Sequence, residues 1–119
     1  MEKSQNIQKY DIWLAELPED AGSHVQSGKR PVVVVSNNTA NRHAPIVSAV
    51  PLSLSQRHMN MPTHTILRSK GLRAPSTALC EQLTTLSKER LVEYMGTVEQ
   101  LHERLALRHC MKVQLGLFD

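Results

Sequence analysis

The sequence predicts a mainly β fold in which a small, antiparallel, barrel-like sheet is followed by a C-terminal α-helix. Short apolar runs rich in β-branched residues alternate with turn segments as far as Leu83. The last part of the chain instead spaces its apolar residues as a helix does. A length of 119 residues matches one domain, which we place at 1–119 with a polar lead-in over 1–9.

The first two strands are predicted at 10–17 and 31–36. The first alternates loosely and contains Trp13, the only tryptophan. The second has four consecutive valines after Pro31, a run typical of a strand buried on both faces. Because proline suits the first position of a strand, we expect Lys29 and Arg30 to be held at the entrance of this one.

Three further short strands are predicted before the helix, which gives a sheet of five or more short antiparallel strands. The segment 18–29 is rich in turn residues and long enough to be a candidate binding loop. Pro51 is expected to end or interrupt the third strand. The remaining strands are placed at 46–52, 63–68 and 76–83, and their connections at 37–45, 53–61 and 69–75.

The terminal helix is predicted over 98–115. Thr97 and Gln100 match a capping box at its start, and a separate short helical turn is expected from Ser87. Apolar residues then recur at helical spacing. The wide apolar face makes three of them candidates for contacts beyond the core: Leu107, Met111 and Leu115.

Composition limits the class of protein without deciding it. A net charge of +3 permits an anionic partner but does not demand one. Cys80 and Cys110 are far apart in sequence and are expected to be buried, reduced thiols. No secretory signal or transmembrane stretch is visible, so we expect a cytoplasmic protein.

Neither a metal ion nor a nucleotide cofactor is predicted. The six histidines lack the spacing of a paired ligand set, and there is no glycine-rich phosphate loop or nucleophile elbow. His102 and His109 share a face of the predicted helix, where surface or partner contacts are their expected role.

Arg30, Ser53 and the loop around His24 are the remaining candidates for chemistry. An arginine can bind a phosphate with both arms of its guanidinium group, and a serine can donate a hydrogen bond to a phosphate or sugar oxygen. Such a pair suits cleavage of RNA, because the substrate supplies its own 2′-OH nucleophile. On the residues alone, an ordinary surface cation and an ordinary turn residue remain the more economical interpretation.

Five segments in order resemble the MazF/PemK/Kid family of toxins from bacterial toxin–antitoxin pairs. Each is weak alone, but their order and spacing are specific, and together they cover most of the chain from Lys9 onward. The segments are KYDIWLAEL at 9–17, GS at 22–23 with RPVVVVSN at 30–37, VPLS at 50–53, PTH at 62–64 and LCEQLTTLSKERL at 79–91.

The resemblance implies a small SH3-like barrel, usually a homodimer, that is a metal-independent endoribonuclease. Such a toxin cuts single-stranded RNA, often at short motifs, and so inhibits translation and growth. A cognate antitoxin would neutralise it by occupying the RNA groove, and DNA would be contacted only through that antitoxin. Arg30 matches the catalytic arginine and Ser53 the position of a catalytic threonine or serine. The products would carry a 2′,3′-cyclic phosphate and a 5′-OH.

Four more residues are candidates for catalysis or RNA binding by the same resemblance: His24, Lys29, Gln82 and Thr84. His24 stands where the family usually has an acid, and Tyr10 stands where it has a glycine, which changes local backbone freedom. Gln82 and Thr84 fall near the groove, although strand packing and turn formation explain them equally well.

Two other functions are compatible with parts of the sequence. The first is a non-catalytic member of the same superfamily, either a gyrase poison or a degenerate toxin. The gyrase-poisoning group relies on a C-terminal Trp-Gly-Ile, whereas this chain ends LGLFD at 115–119. The second is a DNA-binding regulator, for which a helix-turn-helix pattern and clustered positive charge are lacking.

Overall fold

The computed structural model describes residues 6–19, 25–54 and 61–118. The described residues form seven strands, two α-helices and two short 3₁₀ turns, so the predicted order of a sheet followed by a helix is confirmed. The strands are β1 (Asp11–Leu17), β2 (Gly28–Val34), β3 (Ile46–Ser53), β4 (His64–Leu67), β5 (Ser76–Leu79), β6 (Thr84–Ser87) and β7 (Leu91–Thr97). The helices are α1 (Asn38–His43) and α2 (Leu101–Gln114), and the 3₁₀ turns are Cys80–Gln82 and Lys88–Arg90.

All the strands pair antiparallel, and β3 connects the two halves of the sheet. The strand order is β4-β5-β3-β2-β1-β7, and β6 also pairs with β3. One edge of β3 pairs with β2, while the other pairs first with β6 and then, beyond Pro51, with β5. This change of partner along one strand lets the sheet curl into a barrel.

Pro51 neither ends nor interrupts its strand, so that expectation was wrong. The backbone bond from Val35 N to Ser48 O makes these two residues a hydrogen-bonded pair, 2.9 Å from donor to acceptor. Pairs along an antiparallel ladder alternate, so Pro51 and Val32 form a non-hydrogen-bonded pair. Pro51 also lies where β3 changes partner from β6 to β5, and its missing N–H therefore breaks no ladder bond.

The valine run is buried on both faces, as its composition predicts. Val32 and Val34 pack in a cluster with Trp13, while Val33 and Val35 pack in a second cluster. The second cluster is covered by α2, which contributes fully buried Leu107. The β2 strand is therefore shared by two cores, which fixes its position on both sides.

Three predicted element boundaries differ from the structure. The β2 strand begins at Gly28, so Lys29 and Arg30 lie within it rather than before it. The polar segment 37–45 contains α1, whose N-cap Asn37 accepts a hydrogen bond from Ala40 N at 2.8 Å. The predicted strand 76–83 ends at Leu79, where a 3₁₀ turn begins.

The structure differs most from the sequence prediction between the fifth predicted strand and the helix. The turn after Ser87 is confirmed, with the Ser87 hydroxyl as its cap. The β6 and β7 strands on either side of this turn were not predicted. Both are largely exposed, so their side chains lack the continuous apolar run that identified β2.

The helix α2 begins three residues later than predicted, because Thr97 has another role. Thr97 ends β7, and its hydroxyl donates to the backbone oxygen of Tyr10 at 3.2 Å. Gln100 is the N-cap and makes no side-chain capping bond, so the predicted capping box is wrong. Leu107 is fully buried in the core and half-buried Met111 packs against it, which leaves Leu115 exposed among the three proposed contact residues.

The two cysteines are buried free thiols, as predicted. Cys110 Sγ donates to the backbone oxygen of His64 at 3.4 Å. A hydrogen bond with Cys110, followed by burial, raises the pKa of the Cys80 thiol far above its ordinary value. No helix within the described ranges is both long and apolar enough to cross a membrane.

Candidate functional site

A cavity of about 510 Å³ lies beside the start of β2 and the end of β3 and is called the β2–β3 cavity below. It brings together three residues singled out from the sequence: Lys29, Arg30 and Ser53. Its other lining residues are Leu14, Pro31, Leu52, Leu54, Leu72, Arg73, Ser76, Glu93 and Met95. The walls are mainly apolar, and the charged groups are few and specific.

Arg30 is positioned by the β1–β2 ladder. Its Cα pairs with Ala15, and its Nε donates to the backbone oxygen of Ser27 at 3.2 Å. This bond uses only the inner nitrogen of an exposed residue, so the N–H groups of the two outer nitrogens can donate to a ligand. A guanidinium group held in this way can present two parallel N–H donors to a phosphate.

Ser53 is the last residue of β3, and strand pairing fixes it opposite Thr77 of β5. It is buried, with 8% of its surface exposed, yet it lines the cavity. A hydroxyl at this position can donate to a phosphate oxygen or accept from a sugar hydroxyl. Because Ser53 belongs to a rigid strand, it loses little conformational freedom when a substrate binds.

Lys29 lies beside Arg30 and forms a loose ion pair with Glu16. The Nζ and Oε1 atoms are 4.0 Å apart, and both side chains are more than half exposed. Exposed pairs of this kind contribute little to stability. An anion that enters the cavity can therefore bind Lys29, and only the weak ion pair with Glu16 is lost.

Glu93 is a cavity residue that no sequence pattern singled out. Its Cα pairs with Leu14 of β1, which pairs in turn with Pro31 of β2. The three residues form a row across three strands, so the Glu93 backbone lies roughly 10 Å from that of Pro31. Glu93 is the one carboxylate among the lining residues of the β2–β3 cavity. It was missed because β7 itself was not predicted.

The structure places Gln82 and Thr84 elsewhere. Both line a different cavity of about 190 Å³, together with Gln26 and Pro51. Gln82 Oε1 accepts a hydrogen bond from Gln26 N at 2.7 Å, which anchors the chain just before β2. His24 lies outside the described residues. Within them, no group of three or more His, Cys, Asp and Glu side chains has the arrangement of a metal site.

The cavity's chemistry is that of an anion site with a hydroxyl and a carboxylate. Two arginines and a lysine can offset negative charge, and apolar walls strengthen such contacts by excluding water. Ser53 can position a neutral oxygen, and Glu93 can accept a proton. These groups match the needs of an in-line attack on a phosphodiester.

Comparison with known proteins shows a consistent set of similarities. A family model described as PemK-like, MazF-like toxin of type II toxin–antitoxin systems matches residues 8–108. The endoribonuclease MazF of Staphylococcus epidermidis is 32% identical over 113 residues, covering 93% of this chain and 92% of that protein.

Solved structures show the same fold. A mycobacterial endoribonuclease in complex with its cognate antitoxin aligns with a TM-score of 0.75 and 26% identity, over 93% of this chain and 96% of its own. MazF of Deinococcus radiodurans aligns with a TM-score of 0.71 and 22% identity, over 92% and 94% of the two chains. The predicted barrel with a C-terminal helix is therefore the fold of these proteins.

Proposed function

Because the chain belongs to the family of PemK-like, MazF-like toxins of type II toxin–antitoxin systems, we propose that it is an endoribonuclease toxin. Its substrate is single-stranded RNA in the cytoplasm, cut at a short sequence motif, and its action lowers translation and growth. The observation that carries this proposal is the meeting of Arg30 and Ser53 in one cavity. Their sequence positions are 23 residues apart, and only the β2–β3 pairing brings them together.

The proposed reaction uses the nucleophile of the substrate. The 2′-oxygen forms a bond to the adjacent phosphorus, and the bond from phosphorus to the 5′-oxygen breaks. The products are a 2′,3′-cyclic phosphate and a 5′-OH, and no metal ion takes part. Arg30 stabilises the extra negative charge of the phosphorane, since a guanidinium group keeps its proton at neutral pH. Ser53 orients the scissile phosphate or the 2′-OH.

Glu93 supplies the proton acceptor in this scheme. The 2′-OH loses its proton to Glu93 as it attacks, and the departing 5′-oxygen gains one from solvent water. Glu93 faces the same cavity as Arg30 from a strand that runs two positions away in the sheet. The family usually has an acid at the position of His24, and in this scheme the acid/base group is Glu93 instead.

The partners follow from the family. A mycobacterial relative has been solved in complex with its cognate antitoxin, and we propose an antitoxin partner for this chain. A homodimer is the proposed assembly. Exposed apolar side chains of α2 that line neither cavity, Leu101 and Leu105, are available for protein contacts of this kind.

One cleavage experiment tests the proposed function. Purified protein is incubated with a long RNA in excess EDTA, and the cut ends are sequenced. We expect cleavage in EDTA with 5′-OH ends, and a loss of at least about 100-fold in Arg30→Ala. Arg42→Ala, an exposed arginine on α1, is the matched control and should cut like the wild type. Intact RNA with folded wild-type protein contradicts the nuclease and favours a non-catalytic toxin.

A further inference from the structure

A second cavity lies between α2 and the residues that precede β1, and we call it the α2 cavity. Its volume is about 190 Å³, and it is distinct from the cavity that holds Arg30. The floor is apolar and the rim is basic. The lining residues are Lys9, Tyr10, Arg108, Met111, Lys112, Leu115 and Leu117.

The basic side chains at this cavity form a continuous stripe. Arg104, Arg108 and Lys112 recur at every fourth position of α2, so each lies about 6 Å along the helix axis from the next. Lys9 adds a fourth positive charge from the opposite wall. Like charges at this helical spacing repel and lower helix stability. No carboxylate of the described residues forms a salt bridge with any of these four. Arg104 Nε donates to Val98 O at 2.5 Å, and Lys112 Nζ lies 5.8 Å from the centroid of the Phe118 ring, so these two cations are held in place but not neutralised.

Tyr10 gives a second, independent observation at the same place. Its φ of 74° is the one positive value among the described non-glycine residues. That backbone conformation is sterically strained for a residue that has a Cβ atom. Tyr10 keeps it through a bond from its N–H to Val34 O at 2.7 Å and a bond from Val98 N to its own carbonyl at 2.9 Å. Strained residues that are held in this way cluster at functional sites.

The strained backbone places the Tyr10 ring where it organises two of the cations. Arg104 lies over this ring with its guanidinium carbon 4.7 Å from the centroid, and Lys9 lies over it with Nζ at 5.2 Å. Each contact holds a cation in a fixed position without neutralising it. The result is a wall in which an aromatic ring and several uncompensated positive charges are fixed together.

We propose that the α2 cavity is a second RNA-binding subsite that takes a nucleotide of the substrate strand outside the cleavage cavity. Phosphates bind the basic rim, and a base or ribose lies on the apolar floor formed by Met111 and Leu115. Grooves for single-stranded nucleic acid combine these two elements, a cationic track and apolar or aromatic surfaces for bases. An acidic peptide offers charge complementarity as well, but the fixed aromatic wall favours RNA. The inference rests on the proposed endoribonuclease function.

The distance between the two cavities determines how long an RNA must be to occupy both of them. Tyr10 lies four residues before Leu14, which lines the β2–β3 cavity, so the two cavities are roughly 13 Å apart along β1. A very short oligonucleotide that fills only the cleavage cavity does not span this distance. A longer strand does, and the subsite therefore adds affinity that depends on RNA length.

The test compares two double variants that each remove two positive charges. Arg108→Gln/Lys112→Gln alters the α2 cavity, and Arg42→Gln/Lys70→Gln is the matched control at exposed positions elsewhere. Binding is measured by fluorescence anisotropy over a range of salt concentrations. The probes are a long and a very short RNA taken around a site that the wild type cuts, made with 2′-fluoro groups so that the nucleophile is absent.

We expect the α2 variant to bind the long RNA about tenfold more weakly than the control, with a salt slope smaller by about 1.4 for two lost phosphate contacts. Both variants should bind the short RNA equally, and both should cut its unmodified form at the same rate. Ultraviolet crosslinking of the long RNA to wild-type protein should map a nucleotide to Tyr10. Equal binding of the long RNA by the two variants overturns the subsite, and so does an acidic peptide that binds at α2 without competing with RNA. A wild type that neither binds nor cuts RNA contradicts the proposed function instead.

Discussion

The His64 ring and the Glu81 carboxylate form a close pair beneath α2, with Nε2 and Oε2 2.8 Å apart. Thr63 Oγ1 donates to the other carboxylate oxygen at 3.0 Å. The His64 side chain is 4% exposed, so the pair lies at the edge of the core. Its neighbour Cys110 bonds the His64 backbone oxygen, which joins β4, the 3₁₀ turn at 80–82 and α2 in one polar network.

This pair makes part of the stability sensitive to acid. Burial alone would raise the pKa of Glu81, but hydrogen bonds from His64, its own backbone and Thr63 outweigh it and leave that pKa below its ordinary value. A carboxylate with a lowered pKa in the folded state stabilises the fold above its unfolded pKa of about 4.3. The contribution is lost as the pH falls through the lower folded value.

Glu81→Gln should therefore lower the free energy of unfolding at pH 7 by about 1 kcal/mol, because it removes the charged acceptor. The difference from wild type should shrink as the pH falls from the unfolded pKa of Glu81 through its lower folded value, because Glu81 is then protonated in both states. Urea unfolding between pH 3 and 7 measures both effects. Glu99→Gln, at an exposed position, should show no such dependence. If the difference in unfolding free energy between wild type and Glu81→Gln stays constant with pH, the charge assigned to Glu81 is contradicted.

Much of the fold could be predicted from sequence because its central strands are strongly patterned. The valine run identified β2, and its two-sided burial follows from the same four residues. The predicted boundaries failed where polar side chains have long-range partners. Thr97 looks like a helix cap in sequence but bonds Tyr10, a residue 87 positions away. No local pattern contains that information.

A second prediction concerns the close approach of two backbone segments near the β2–β3 cavity. A Cβ atom on Gly71 would overlap the backbone oxygen of Met95, which belongs to β7 and cannot move independently. Gly71→Ala should destabilise the protein by about 3 kcal/mol or more, because the strain falls on backbone rather than on a flexible side chain. Thermal unfolding followed by circular dichroism measures this loss.

Gly28→Ala is the informative comparison for that change. Gly28 has a φ of 77°, but no atom lies within 4 Å of the position that a Cβ would take there. The substitution therefore costs about 1–2 kcal/mol of backbone strain without a steric overlap. We expect Gly71→Ala to unfold at a clearly lower temperature than Gly28→Ala. If the two variants unfold together, the packing of Gly71 against β7 is looser than the structure indicates.

Two candidate residues of the β2–β3 cavity could be chosen from sequence and a third could not, for a physical reason. Arg30 and Ser53 belong to sequence segments with a recognisable pattern. Glu93 has no such signal, since an exposed acid in a polar segment looks like any other surface residue. Only the β1–β7 pairing brings it to the cavity. Gln82 was expected near the groove, whereas its side chain anchors Gln26 outside the β2–β3 cavity.

The hydroxyl at position 53 should matter more than the size of its side chain. Ser53→Ala removes the hydroxyl that we propose to orient the substrate, and we expect kcat for RNA cleavage to fall by about 100-fold. Ser53→Thr retains the hydroxyl and should keep most of the activity. Thr85→Ala, which removes an exposed hydroxyl from β6, is the control. Cleavage by Ser53→Ala at the wild-type rate would exclude Ser53 from the reaction.

Glu93→Gln should slow RNA cleavage by about 100-fold or more, because the amide cannot accept the 2′-OH proton. Glu99→Gln removes the same charge from an exposed position two residues beyond β7 and should retain the wild-type rate. Single-turnover cleavage rates of the wild type and the two variants measure this difference.

A substrate with sulfur in place of the scissile 5′-oxygen separates the two proton transfers. Its thiolate leaves without a proton, so it restores cleavage only when the missing group is the acid that protonates the leaving oxygen. If Glu93 accepts the 2′-OH proton, Glu93→Gln stays slow on this substrate. Full recovery of cleavage with this substrate would show instead that Glu93 protonates the leaving 5′-oxygen, because the 2′-oxygen would then attack phosphorus without Glu93.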